Sequence, residues 1–119
     1  MKNLIIITPK AFCEKKFLEI MNKINENDYK IIGMKLERMD IFNLQKKIGK
    51  ESEKNKAKEM SDLLKTPTIL IAIEGKEAIK FGKNILEEYG KEYIHTSSSE
   101  SVAGYEIERF FEKKEIFDY

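Results

Sequence analysis

Two short apolar runs constrain the fold most: Leu4-Ile5-Ile6-Ile7-Thr8, closed by Pro9, and Thr68-Ile69-Leu70-Ile71-Ala72-Ile73, closed by Glu74-Gly75. Both are rich in β-branched residues, too short for a core helix and almost free of polar interruption. Each therefore reads as a buried strand rather than a half-solvated one. The segments between and after them carry helical spacing. Cys13, Phe17, Ile20, Met21 and Ile24 predict an amphipathic helix over 11–26, with Cys13 on its apolar face, ended by Asn25-Glu26-Asn27-Asp28. Ile32, Met34 and Leu36 alternate with other residues, which predicts a half-buried strand from Tyr29 to about Met39.

Asp40 is placed to cap a short helix carrying Ile41, Leu44 and Ile48, ended by Gly49. Lys50 to Lys58 is highly charged, and Ala57, Met60 and Leu64 restore helical spacing until Thr66-Pro67 breaks it. Ala78, Ile79, Gly82, Ile85, Leu86 and Tyr89 form another helical stripe with Gly90 as its stop. Glu92 to His95 reads as a short fourth strand, and Ala103, Glu106, Ile107, Phe110 and Phe111 line one face of a last helix. The order is strand, helix, strand, two helices, strand, helix, strand, helix: one sheet covered by helices. Pattern alone leaves strand direction open between a parallel flavodoxin-like and an antiparallel ferredoxin-like sheet.

A chain of 119 residues with a net charge of +1 is expected to be a single domain, with no general pull toward nucleic acid or acidic membranes. Pro9 and Lys10 interrupt the N-terminal apolar run too early for a secretory signal, no stretch has transmembrane length, and the one cysteine fits a reducing compartment. These features predict a cytoplasmic protein. A Walker lysine motif, a Cys/His metal constellation and a dinucleotide glycine fingerprint are all missing from the sequence.

The candidate chemistry centres on His95, the only histidine, in Tyr93-Ile94-His95-Thr96-Ser97-Ser98-Ser99. Imidazole changes charge near neutral pH and can act as base, nucleophile or ligand. A strand end followed by hydroxyls and a helix N-terminus favours phosphate. Glu106 falls within the apolar stripe of the last helix, where a carboxylate needs a partner. His95 is placed to be that partner, leaving one ring nitrogen oriented and the other free, with Ser97 close enough to hold Glu106 or an incoming phosphate. The bland alternatives are a structural histidine, an N-cap serine cluster and a solvated glutamate. The lysines between 46 and 58 read first as a solvated face and second as a basic nucleotide-binding surface.

At this point the chain resembles the nucleoside diphosphate kinase family. The resemblance rests on Ile94-His95-Thr96-Ser97-Ser98-Ser99, then Glu106-Ile107, Phe111 and Ile116-Phe117-Asp118-Tyr119, beside the family's Ile-His-Gly-Ser-Asp-Ser segment, Glu-Ile pair and Val-Asp-Tyr end. Ile7-Thr8-Pro9-Lys10, Tyr29 to Lys35 and Pro67 to Gly75 add weaker matches in the same order. The resemblance implies one α+β domain over 1–119, a ferredoxin-like four-stranded antiparallel sheet covered by helices. It also implies ping-pong phosphoryl transfer from a nucleoside triphosphate to a nucleoside diphosphate through a phosphohistidine. Carried over, His95 is the nucleophile, Glu106 orients its ring, Ser97 supports that contact, and magnesium arrives on the nucleotide phosphates. The resemblance further implies a homo-oligomer, with a dimer favoured over a hexamer.

The departures concern the nucleotide. The family's phosphate-contacting lysine falls at Thr8, with Lys10 two residues on. The arginine of the third helix falls at Lys83, which keeps charge but loses the bidentate fork. The sugar-reading asparagine falls at Glu92, the base-stacking phenylalanine near Lys56, and the glycine after the histidine at Thr96. The long loop before the histidine strand is reduced to Gly90-Lys91. A minimal kinase using Thr8, Lys10, Lys83 or Lys56 for the nucleotide is the first expectation. The alternative is a weak or inactive member serving as a nucleotide-binding or assembly subunit.

Overall fold

A computed structural model describes residues 1–38 and 66–119. The strands are β1 (Lys2–Ile7), β2 (Lys30–Arg38), β3 (Pro67–Glu74) and β4 (Ile94–Thr96). The helices are α1 (Pro9–Cys13), α2 (Phe17–Glu26), α3 (Ala78–Tyr89) and α4 (Glu100–Phe110), followed by a 3-10 turn at Lys113–Glu115. The sheet order is β2-β3-β1-β4 and all three pairings are antiparallel, which resolves the open choice in favour of the ferredoxin-like arrangement. The expected helices carrying Ile41 and Met60, and the lysines between 46 and 58, lie outside the described residues.

The apolar runs are continuous because β1 and β3 are covered on both faces. Ile5, Ile7, Ile69, Ile71 and Ile73 pack with Ala11, Ile20, Ile24, Ala78, Phe81 and Ile85 from α1, α2 and α3. On the other face Leu4, Ile6, Leu70 and Ala72 meet Ile107 and Phe111 of α4 and its C-terminal extension. A two-sided cover, rather than parallel pairing, removes the alternation that an antiparallel strand ordinarily shows. Among the described residues no helix is long and apolar enough to cross a membrane.

Four local expectations need correction. The helix expected over 11–26 is two helices. Thr8 caps α1 and Pro9 occupies its first turn, so the helix starts as soon as β1 ends. Lys15 then adopts φ 60°, breaking the chain before α2. Cys13, expected in the core, is exposed at the end of α1. In β2 a bulge lies between Ile31 and Gly33, so Gly33 pairs with Ala72 and Met34 with Ile71. The extra residue flips the side-chain alternation: Ile32 is buried, whereas Met34 and Leu36 are 51% and 63% exposed. Finally, β4 starts at Ile94 rather than Glu92. The carbonyls of Glu92 and Tyr93 are taken by Thr8, already turning into α1: its hydroxyl donates to Glu92 at 2.7 Å and its N–H to Tyr93 at 3.0 Å.

Candidate active site

β4 has only three residues and pairs with the end of β1, His95 opposite Ile6. Ile94 and Thr96 are buried, and the alternation places His95 on the opposite face with 39% of its side chain exposed. Ser99 caps α4 by accepting the Val102 N–H at 3.2 Å. The helix returns over that face with Ala103, Ile107 and Phe111 in the core. The same stripe carries Glu106, whose side chain is 18% exposed.

The three expected residues come together. Oε2 of Glu106 lies 3.0 Å from Nε2 of His95, and Oε1 accepts the Ser97 hydroxyl at 2.8 Å. An ionised carboxylate only accepts, so the Nε2 proton is directed at Glu106 and the neutral ring carries its lone pair on Nδ1. Among the described residues Nδ1 makes no hydrogen bond. Ser97 is fully buried, and its N–H donates to Oδ1 of Asn3 at 3.2 Å. The arrangement is a partly exposed imidazole held at Nε2 by a carboxylate, with the Nδ1 lone pair left for other chemistry.

The expected nucleotide-binding residues divide. Thr8 is committed to local structure: its hydroxyl oxygen accepts the Ala11 N–H at 3.3 Å while donating to Glu92. The Lys10 ammonium lies 2.8 Å from Glu92 and 5.3 Å from the centre of the Tyr93 ring. The hydrogen bond between Lys10 and Glu92 raises the lysine above its usual value and holds the carboxyl below its own. Tyr93 in turn donates to Glu14 at 3.0 Å. A strut thus joins the α1 start to the segment entering β4. Lys83 is exposed on α3, next to Gly82, which packs on Thr96; among the described residues it joins neither the strut nor the trio. Lys56 lies outside the described residues.

Two participants escaped the sequence reading. Asn3, just before the first apolar run and outside every motif read above, is fully buried. Glu92, at the position of the family's sugar-reading asparagine, instead pairs with Lys10. Local spacing carries no signal for either, because their partners lie 94 and 82 residues away.

The fold and the trio together define a ferredoxin-like α+β protein with a carboxylate-oriented histidine at a sheet edge. The family profile described as nucleoside diphosphate kinase matches residues 1–90, and the chain belongs to that family. Similar proteins include the nucleoside diphosphate kinase of Pyrococcus horikoshii, 28% identical over 99% of this chain and 89% of that protein. That of Thermococcus kodakarensis is 26% identical over 99% and 80%. Among solved structures, a halophilic nucleoside diphosphate kinase from Halobacterium salinarum in complex with CDP superposes with a TM-score of 0.77. It is 18% identical, covering 100% of this chain and 92% of that one. A nucleoside diphosphate kinase family protein from Babesia bovis gives 0.75 at 20% identity over 99% and 93%.

Proposed function

We propose that residues 1–119 act as one nucleoside diphosphate kinase domain in which His95 carries the phosphoryl group between nucleotides. The observation that carries the reading is the 3.0 Å contact from Nε2 of His95 to Glu106, in a chain that belongs to this family. Nδ1 attacks the γ-phosphorus of a nucleoside triphosphate. The N–P bond forms, the bond to the bridging oxygen breaks, and the electron pair leaves on the diphosphate. The phosphorylated ring is an imidazolium, and Glu106 meets its charge from behind. The terminal phosphate oxygen of a second nucleoside diphosphate then attacks phosphorus, the N–P bond breaks, and the neutral ring returns.

Ser97 holds the second carboxylate oxygen and so fixes the plane in which Glu106 presents itself to the ring. The nucleotide is expected with magnesium on its phosphates, where the ion lowers their charge. Among the described residues no group of three or more His, Cys, Asp or Glu side chains could hold the ion by itself. Nucleotide contacts are assigned to Lys10, Lys83 and Lys56, with Lys10 drawn from Glu92 toward phosphate; Thr8 serves them as the cap of the helix that carries Lys10. The proposed oligomer is a homodimer; exposed Met34 and Leu36 on edge strand β2 support it. Action in the cytoplasm agrees with the free Cys13.

Incubation with γ-labelled ATP and magnesium is expected to leave an acid-labile, base-stable label on His95. Nucleoside diphosphate should chase it off, and His95→Ala should abolish it. A folded wild type that takes no label overturns the reading. One observation favours a second reading, a nucleotide-binding or assembly subunit without turnover: Lys10 and Thr8 are both engaged inside the protein. Thermal protection by nucleotide without labelling would select it.

A further inference from the structure

Asn3 has 0% exposure, and both ends of its amide are used. Its Nδ2 donates to the carbonyl of Ala78 at 2.9 Å, at the start of α3. Its Oδ1 accepts the N–H of Ser97 at 3.2 Å. The orientation is set by chemistry: a carbonyl cannot donate and an N–H cannot accept, so the amide satisfies both partners only one way round. Ser97 lies one residue beyond Thr96, the last residue of β4 paired with β1. Just past that pairing, a side chain from the beginning of the sequence holds the turn into α4.

From Ser97 the contacts continue to the ring. The Ser97 hydroxyl donates to one Glu106 oxygen at 2.8 Å, and the other oxygen faces Nε2 of His95 at 3.0 Å. Ala78, Asn3, Ser97, Glu106 and His95 thus form one connected polar path, buried at Asn3 and Ser97. The packing around its origin is tight: a Cβ on Gly82 would come within 2.3 Å of the Asn3 amide nitrogen. Loss of the amide would leave the Ser97 N–H and the Ala78 carbonyl without their side-chain partner, a strong drive to shift the turn.

We infer that Asn3 is a positioning residue, setting the angle at which Glu106 presents itself to His95 by fixing the backbone of Ser97. The inference rests on the reading of His95 as the phosphoryl carrier and deepens it. Asn3 touches no nucleotide, so its effect falls on the chemical step and not on nucleotide affinity.

The experiment compares Asn3→Leu, which keeps the branching at Cγ with bulkier ends and removes both hydrogen bonds, with Asn3→Asp, which keeps the acceptor for Ser97. Phosphohistidine formation from ATP and magnesium is followed in single turnovers, beside KM, thermal stability and the imidazole nitrogen shifts of His95. Asn3→Leu is expected to slow phosphorylation about 10-fold or more, the scale of a misplaced reacting group. KM should change by less than about twofold. The ring should pass from one tautomer, protonated on Nε2, to a mixture.

Asn3→Asp buries a charge and is expected to be the less stable variant, yet the faster of the two per folded molecule. That opposite ordering separates positioning from scaffolding. Activity that simply tracks stability in both variants overturns the inference, as does a folded Asn3→Leu with wild-type rate and a single tautomer. If Asn3→Leu does not fold, Asn3→Ala carries the same comparison. If the wild type itself takes no label, the kinase reading fails and the ring spectra decide alone: a tautomer mixture in the folded variant upholds the positioning role, and one tautomer overturns it.

Discussion

Nε2 of His95 and Oε2 of Glu106 stand 3.0 Å apart, joining the three-residue strand β4 to the second turn of α4. The helix that supplies the acid is the one whose apolar face closes the core, so the direction of the ring is tied to the packing of Ile107 and Phe111. Orientation of the imidazole is therefore a property of the fold and does not await substrate.

Replacing Glu106 by Gln keeps the shape and removes the charge behind the imidazolium. A hydrogen bond to a charged group contributes about 1.5–3 kcal/mol, so phosphohistidine formation should slow about 10- to 150-fold with little change in KM. Rapid-quench measurement of the first turnover tests this. An unchanged rate would mean that the carboxylate does not serve the ring.

Much of this site could be read from the sequence because its signals were local. A histidine at a strand end and a carboxylate inside an apolar helical stripe, eleven residues later, imply each other. The two-sided burial of β1 and β3 was equally plain from their unbroken apolar runs. What escaped depended on backbone detail or distant partners. Lys15 adopts a left-handed conformation without the glycine that usually marks one. The bulge at Ile32 turned Met34 and Leu36 outward although their alternation looked regular. Gly33 itself permits the close approach of the C-terminal segment, since a Cβ there would lie 2.7 Å from Ile116. Strand direction also needed more than pattern, because helices on both faces erase the alternation that marks an antiparallel sheet.

Gly82→Ala sets helix propensity against packing. Alanine ordinarily stabilises a helix interior by about 1 kcal/mol. Here the new Cβ would meet the Asn3 amide nitrogen at 2.3 Å and Thr96 Cβ at 3.1 Å, both on buried side chains. Overpacking costs about 1–3 kcal/mol and wins, so the melting temperature should fall. In an Asn3→Ala background the same change should cost less, and a double-mutant cycle on thermal unfolding measures the difference. Additive effects would show that the two positions do not press on one another.

Leu36→Lys tests the proposed dimer. Leu36 is 63% exposed on β2, which lies at one end of the sheet order. A lysine on an edge strand discourages pairing with another chain. Sedimentation should show the wild type as a dimer and the variant as a monomer. The wild-type melting temperature should rise with protein concentration while that of the variant stays constant. A wild type already monomeric at micromolar concentration removes the dimer from the proposal.

Glu92→Gln tests whether Lys10 serves the nucleotide. Glu92 is held below the usual carboxylate range by the Lys10 hydrogen bond, so the pair's contribution is complete above that range and fades as pH falls through the lowered value. Lys10 is raised, so at the other end the contribution is complete below the ordinary lysine value and fades as pH climbs through the raised one. Across neutral pH the pair is closed, and both side chains are well exposed, at 45% and 69%. Opening it should cost little stability, because exposed ion pairs are screened by water and salt. The functional effect should be larger: the substitution removes an anion three residues before His95 and releases a cation. KM for nucleoside triphosphate should fall about two- to fivefold at low salt, and the gain should shrink as ionic strength rises. Lys10→Ala should then raise KM more in the Glu92→Gln background than in the wild type, where Glu92 already holds the ammonium. A KM indifferent to both substitutions would leave Lys10 as part of the strut alone and pass phosphate binding to Lys83.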